Sequence, residues 1–102
     1  MTDILEIARF QLAPGVAGTD LPDRSAAIER WLAAQPGFRS RVLVGPDQAG
    51  RYTDVVRWAS HEQAQAAAKA LMAAPEAGPF LSAIDPESVD MAHAPIVLEI
   101  PG

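Results

Sequence analysis

A chain of 102 residues has the size of one domain, and a net charge of -5 with only 8 Lys and Arg offers no basic stripe for phosphates, which excludes nucleic acid as an expected partner. The absence of Cys removes disulfides, thiolate metal sites and cysteine nucleophiles. The opening Met-Thr-Asp-Ile-Leu-Glu lacks the basic region of a signal peptide, and no apolar run approaches the ~20 residues of a membrane span, so a soluble cytoplasmic protein is expected. Hydrophobic content of 49%, with 9 Pro and 7 Gly placed mostly at segment ends, describes a compact fold, read as a single domain over residues 1–102.

Ile4 to Leu12 (ILEIARFQL) is rich in large apolar residues and closes on Ala13-Pro14-Gly15, the signature of a first strand. Ile4, Glu6, Ala8, Phe10 and Leu12 fall on one face and Leu5, Ile7, Arg9 and Gln11 on the other, so both faces need cover. Thr19 or Asp20 can cap a helix whose stripe includes Leu21, Ile28, Trp31 and Leu32, and Pro36-Gly37 ends it. Phe38 to Val44 alternates as a second strand, and Gly45 to Gly50 turns into a third, Arg51 to Trp58, with Tyr52, Asp54, Val56 and Trp58 on one face.

Ser60 followed by Gln63 is a capping box that starts a second helix with Ala64, Ala67, Ala68, Leu71 and Met72 as its buried stripe. A helical turn from Pro79 to Ile84 leads to a last strand from Val89 to Val97. The order β-α-β-β-α-β defines an α+β, ferredoxin-like fold: a four-stranded antiparallel sheet with two helices on one face. Its open face, carrying Leu5 and Ile7, is most simply covered by a second copy, which predicts a homodimer built sheet against sheet.

The segments "FQLAPGV", "QPGF", "RVLVGPDQAGRYTDVVRW", "WASHEQAQAA" and "VDMAH" make nearly the whole chain resemble the dimeric α/β barrel superfamily, and within it the antibiotic biosynthesis monooxygenase-like (ABM) domains. "QPGF" and the W-x-S-x-E-x-A junction are the distinctive parts, and both mark fold and not catalysis. The resemblance implies a small-molecule-binding protein, with cofactor-independent oxygenation or isomerisation of a small aromatic or enolisable compound as its reaction. The alternative within the same fold is a non-catalytic ligand-binding or dimeric interaction protein. Haem-degrading relatives are expected to carry a His in the turn after the second helix, an Asn in the first strand and a second Trp in the second helix. This chain has Pro79 to Ile84 without His, no Asn, and Ala67 where that Trp would stand, which sets haem aside.

Ligands in such a fold sit between helices and sheet. If Phe10, Val42, Val56 and Met91 face the helices, strand parity puts Glu6, Ser40, Tyr52, Asp54 and His93 on the same side, and the strand order brings Glu6 near His93. His93 is the candidate base, titrating near neutral pH, with Glu6 or Asp54 to orient it. Tyr52 could donate to a developing enolate, and Trp58, Ser40 and Phe80 could wall an aromatic ligand. The bland reading makes His93 a structural imidazole, Tyr52 packing and Trp58 core. His61 is expected exposed in the first helical turn, and with no third ligand at matching spacing neither a metal nor another cofactor is expected. Arg39, Arg41, Arg51 and Arg57 are expected on the outer face, solvated or paired across a dimer.

Overall fold

The computed structural model describes residues 2–102. Strand β1 (Ile4–Phe10) is followed by α1 (Leu21–Ala33), β2 (Phe38–Val44), β3 (Tyr52–Trp58), α2 (His61–Leu71), the four-residue α3 (Gly78–Leu81) and β4 (Asp90–Pro95). The four strands form one antiparallel sheet in the order β2-β3-β1-β4, with β1 between β3 and β4 as the ferredoxin-like arrangement requires. β1 is shorter than its apolar run suggests. It ends at Phe10, and Leu12 instead makes an isolated bridge to Ile84. β4 covers only the middle of its expected span, and the chain beyond it continues without regular structure.

Local chemistry sets the helix ends. Asp20 stands at the N-cap of α1 without a side-chain capping bond, because the chain enters through a 3-10 turn, Gly18–Asp20. Gly37, at φ 84°, supplies the left-handed residue that turns the chain from α1 into β2. Ser60 Oγ accepts from the Gln63 N–H at 3.1 Å, the capping bond read from the sequence, a device worth about 1 kcal/mol. The core contains Phe10, Leu21, Ile28, Val56, Trp58 and Phe80 with the small residues Ala64, Ala67 and Ala83 between them. Met72, expected in the buried stripe of α2, is instead 75% exposed. Trp31 is only half-buried against the core.

The register of β2 overturns part of the parity argument. Phe38 is opposite Trp58, but the next partner pair is Ser40 with Arg57, so a bulge lies between Phe38 and Ser40. One extra residue reverses every side chain beyond it. Arg41 and Leu43 therefore face the helices with Val56 and Asp54, while Ser40 and Val42 turn outward and are exposed. The expected inward placement of Ser40 and Val42, and the outward one of Arg41, are both corrected by this bulge.

Arg57 does lie on the outer face, yet it pairs within its own chain. Its guanidinium donates to Asp3 at 2.6 Å and to both oxygens of Glu99 at 2.5 and 3.0 Å, pinning the N-terminal and C-terminal segments together. Hydrogen bonding to Arg57 holds the carboxyls of Asp3 and Glu99 below their ordinary range and raises that of the guanidinium. Carboxyl pKa values depressed by folding stabilise fully above the ordinary carboxylate range and lose that contribution as pH falls through the depressed values. Below about pH 4 the C-terminal segment should loosen first, read as a fall in the amide protection factor of Ile96, whose N–H donates to the Asp3 carbonyl.

Candidate functional site

Between the helix-facing side of the sheet and the helices lies a cavity of about 390 Å³. Ala8, Phe10 and Val56 form its floor, and Ile28 and Leu32 of α1 with Ala68 and Leu71 of α2 form its roof. Phe80 and Ile84 close one side, while Met72, Val89 and Met91, all substantially exposed, stand at its rim. Two lining residues, Glu6 and Asp54, carry ionisable side chains, and every other lining side chain is apolar.

Those two carboxylates stand in adjacent rows of the sheet. The pairing sets Arg41, Val56, Glu6 and His93 in one row across the four strands, and Leu43, Asp54, Ala8 and Met91 in the next. Asp54 is diagonal to Arg41, a spacing long side chains bridge. Arg41 Nε and Nη2 donate to the two Asp54 oxygens at 2.9 and 2.8 Å, and Nη1 donates to Ser25 Oγ on α1. The guanidinium carbon also sits 5.0 Å from the centre of the Phe80 ring. With side chains only 7% and 14% exposed, Arg41 and Asp54 form a nearly buried, bidentate pair. Asp54 is thus occupied by Arg41 and does not orient His93.

Glu6 fills that orienting role. Its partner in the register is His93, and His93 Nε2 lies 2.7 Å from Glu6 Oε2, with side chains 17% and 13% exposed. The sequence reading is corrected on one point: His93 does not line the cavity, and the group of this dyad that reaches it is Glu6. His61 is exposed, as expected, and its ring stands edge-to-face with that of His93 at 5.6 Å between centroids.

Among the remaining candidates only Phe80 lines the cavity. Tyr52 is buried and stacks on Phe10 at 5.9 Å, and Trp58, 1% exposed, meets Phe38 edge-on at 5.8 Å. Both belong to the core, the bland reading for each. Among the described residues, Trp58 Nε1 is the one buried side-chain polar atom without a partner. Sequence reasoning missed Arg41 and Ser25, because the bulge that brings Arg41 inward has no compositional signal in Arg39-Ser40-Arg41.

Fold and site together define a small α+β sheet-and-helix domain with an internal apolar pocket. No family model matches the chain, and no curated protein matches it. Solved structures do. The cofactor-independent oxygenase SnoaB of Streptomyces nogalater, in a mutant form, superposes with a TM-score of 0.74 at 17% identity over 100% of both chains. A Bordetella bronchiseptica protein provisionally named an antibiotic biosynthesis monooxygenase gives 0.74 at 22% identity over 96% of this chain and 100% of its own. The haem degrader MhuD of Mycobacterium tuberculosis, with two haems bound in its active site, gives 0.70 at 23% over 96% and 99%. The chain has the fold these proteins share, as the sequence resemblance implied.

The residues here do not suit haem. Among the described residues no imidazole lines the cavity to ligate iron, and the lining presents no Lys, Arg or His to meet propionates. Among the described residues no group of three or more His, Cys, Asp or Glu is arranged to hold a metal ion.

A buried pair loses more from removal of one partner than from removal of both. Asp54→Ala, which strands the Arg41 charge, should cost about 3–5 kcal/mol in urea unfolding. The double variant Arg41→Met with Asp54→Leu should recover most of that loss.

Proposed function

We propose that the chain is a small-molecule-binding protein acting on a small aromatic or enolisable compound, as a cofactor-independent monooxygenase or isomerase, with Glu6 as the base. The observation that carries this reading is a carboxylate, held at one oxygen by His93, facing an otherwise apolar cavity of about 390 Å³. Cofactor-free oxygenation needs a base that generates an electron-rich substrate anion, and space for oxygen beside it. Glu6 meets the first need. The low-polarity surroundings meet the second and admit aromatic rings against Phe10 and Phe80. Asp54, neutralised by Arg41, serves as a fixed acceptor for a substrate hydroxyl. The fold of SnoaB, named as a cofactor-independent oxygenase, agrees with this chemistry.

The experiment is binding and oxygen uptake with anthrone, an aromatic ketone with an acidic C–H. Ala68→Trp, which fills the cavity from α2, should abolish binding and leave the fold intact by circular dichroism. Glu6→Gln should keep binding and lower oxygen uptake by about 10²–10⁴-fold. Anthrone binding undiminished by Ala68→Trp would move the site elsewhere. Binding without turnover would favour the non-catalytic, ligand-binding alternative.

We further propose that the whole chain acts as one domain and works as a homodimer joined through its outer sheet face. That face carries Leu5, Ile7 and Val55, together with the exposed Val42 and Val44, and the segment after β4 leaves Val97, Leu98 and Ile100 at least 81% exposed. The solvent-accessible surface is 6485 Å², against about 5500 Å² for a compact monomer of this mass. The surplus is of the order of the ~800 Å² each partner buries in a standard interface. Among the described residues no helix is long and apolar enough to cross a membrane. A chain without Cys gains nothing from an oxidising compartment, and the proposal keeps it in the cytoplasm. Light scattering should give twice the chain mass of 10.8 kDa, and Ile7→Asp should halve it; a wild-type monomer at micromolar concentration would refute the dimer.

A further inference from the structure

Among the described residues, the large apolar side chains that stay exposed fall into two groups. One belongs to the outer sheet face and the C-terminal segment. The other is Met72 just after α2, Val89 before β4 and Met91 on it, 75%, 43% and 50% exposed, and all three line the mouth of the cavity. A single exposed apolar side chain needs no explanation, but three converging on one opening do. Met91 shares the helix-facing side of the sheet with Ala8 and Asp54, so a dimer through the outer face leaves this opening uncovered.

A slot leads to the opening from the polar end of the cavity. Asp54 on β3, Ala8 on β1 and Met91 on the edge strand β4 stand side by side in one row, roughly 10 Å from first to last at two strand spacings. Ala8 carries nothing beyond its Cβ to bar the way, and Ala68 stands in the roof that α2 contributes. Both alanines are half-buried and both line the cavity. A leucine at either position would close the passage.

We infer that the ligand of this cavity carries an apolar arm, alkyl or prenyl, on its aromatic or enolisable head. The head lies against Phe10 and Phe80 beside Glu6 and Asp54, and the arm runs over Ala8 and leaves between Met72, Val89 and Met91. The inference rests on the cavity being the binding site, as proposed above, and not on Glu6 acting as a base. The three collar side chains are apolar, so an arm gains by burying methylenes among them, whereas a charged or hydroxylated arm loses hydration and finds no partner. Two of the three are methionines, whose unbranched, polarizable thioethers fit arms of different shape. The collar therefore selects for apolar length and not for one outline. Full burial is worth about fourfold in affinity per methylene, and a collar that stays half exposed gives about twofold.

The test is equilibrium binding without oxygen, so that turnover plays no part. Calorimetry would compare anthrone with anthrones bearing a methyl, propyl or pentyl arm on an outer ring. Dissociation constants should fall about twofold per added carbon, roughly thirtyfold from anthrone to the pentyl compound. Met72→Gln combined with Met91→Gln keeps side-chain length and adds polarity at two exposed positions. It should shrink the pentyl-over-anthrone ratio to about threefold or less, with thermal unfolding as in wild type. Anthrone that binds with no gain from the arm overturns the inference and leaves the cavity as the site. A gain undiminished in the double variant places the arm elsewhere and overturns it too. If no member of the series binds, the cavity is lost as the site for this class and the arm with it. The full length dependence in a protein that takes up no oxygen refutes the oxygenase reading alone and supports the arm.

Discussion

Arg41 carries a full positive charge to the inner side of a small sheet, and much of the surrounding structure is arranged to receive it. Its guanidinium takes Asp54 from β3, Ser25 from α1 and the face of Phe80 from α3, so one side chain on an edge strand ties together four elements. A charge placed there without partners would cost several kcal/mol, so each partner is constrained in position by the requirement to satisfy it. Phe80 in turn meets Phe10 edge-on at 6.0 Å, which carries the constraint to the cavity floor. The cavity keeps its shape because its wall is fastened at this point.

The two carboxylates of the cavity differ in what their partners permit. Asp54 faces a guanidinium, which does not release protons at any pH a protein survives, and both of its oxygens are engaged. It can accept a hydrogen bond but is poorly placed to act as a base. Glu6 faces an imidazole, which holds only one of its oxygens and leaves the other for the cavity. On the proposed reading, the side chain beside each carboxylate separates a positioning acceptor from a base.

Most of the fold was legible in the sequence because it is written in local signals: the apolar run of β1, the stop at Pro36-Gly37, the capping bond of Ser60 and the turn between β2 and β3. The pairing of Glu6 with His93 was also legible, since strand order and parity on two regular strands are enough to place them together. The site was less so. Parity carries along a strand only until something interrupts it, and the bulge after Phe38 depends on how β2 meets β3, which no single residue of β2 announces. That one event misplaced Ser40, concealed Arg41 and left Asp54 looking free to orient His93. The distinction between lining a cavity and lying just behind its wall, which separates Glu6 from His93, depends on volumes filled by α2 and α3, and periodicity does not record volume.

The bulge gives β2 two frames. Phe38 is read in one, and Arg41 and Leu43 in the other, so inward meaning along this strand depends on its length as well as its letters. A strand that paired straight through from Phe38 with no bulge would exchange inside for outside over the rest of its length, bringing Ser40 and Val42 to the helix side and expelling Arg41. Asp54 would then stand alone. Removing one residue at position 39 or 40 does the opposite: it takes away the bulge and leaves Arg41 in its inward frame opposite Val56. The odd spacing between two inward residues, Phe38 and Arg41, thus stores the bulge in the length of the strand, and a chain one residue shorter there would keep the same acidic wall on a strand with no bulge at all.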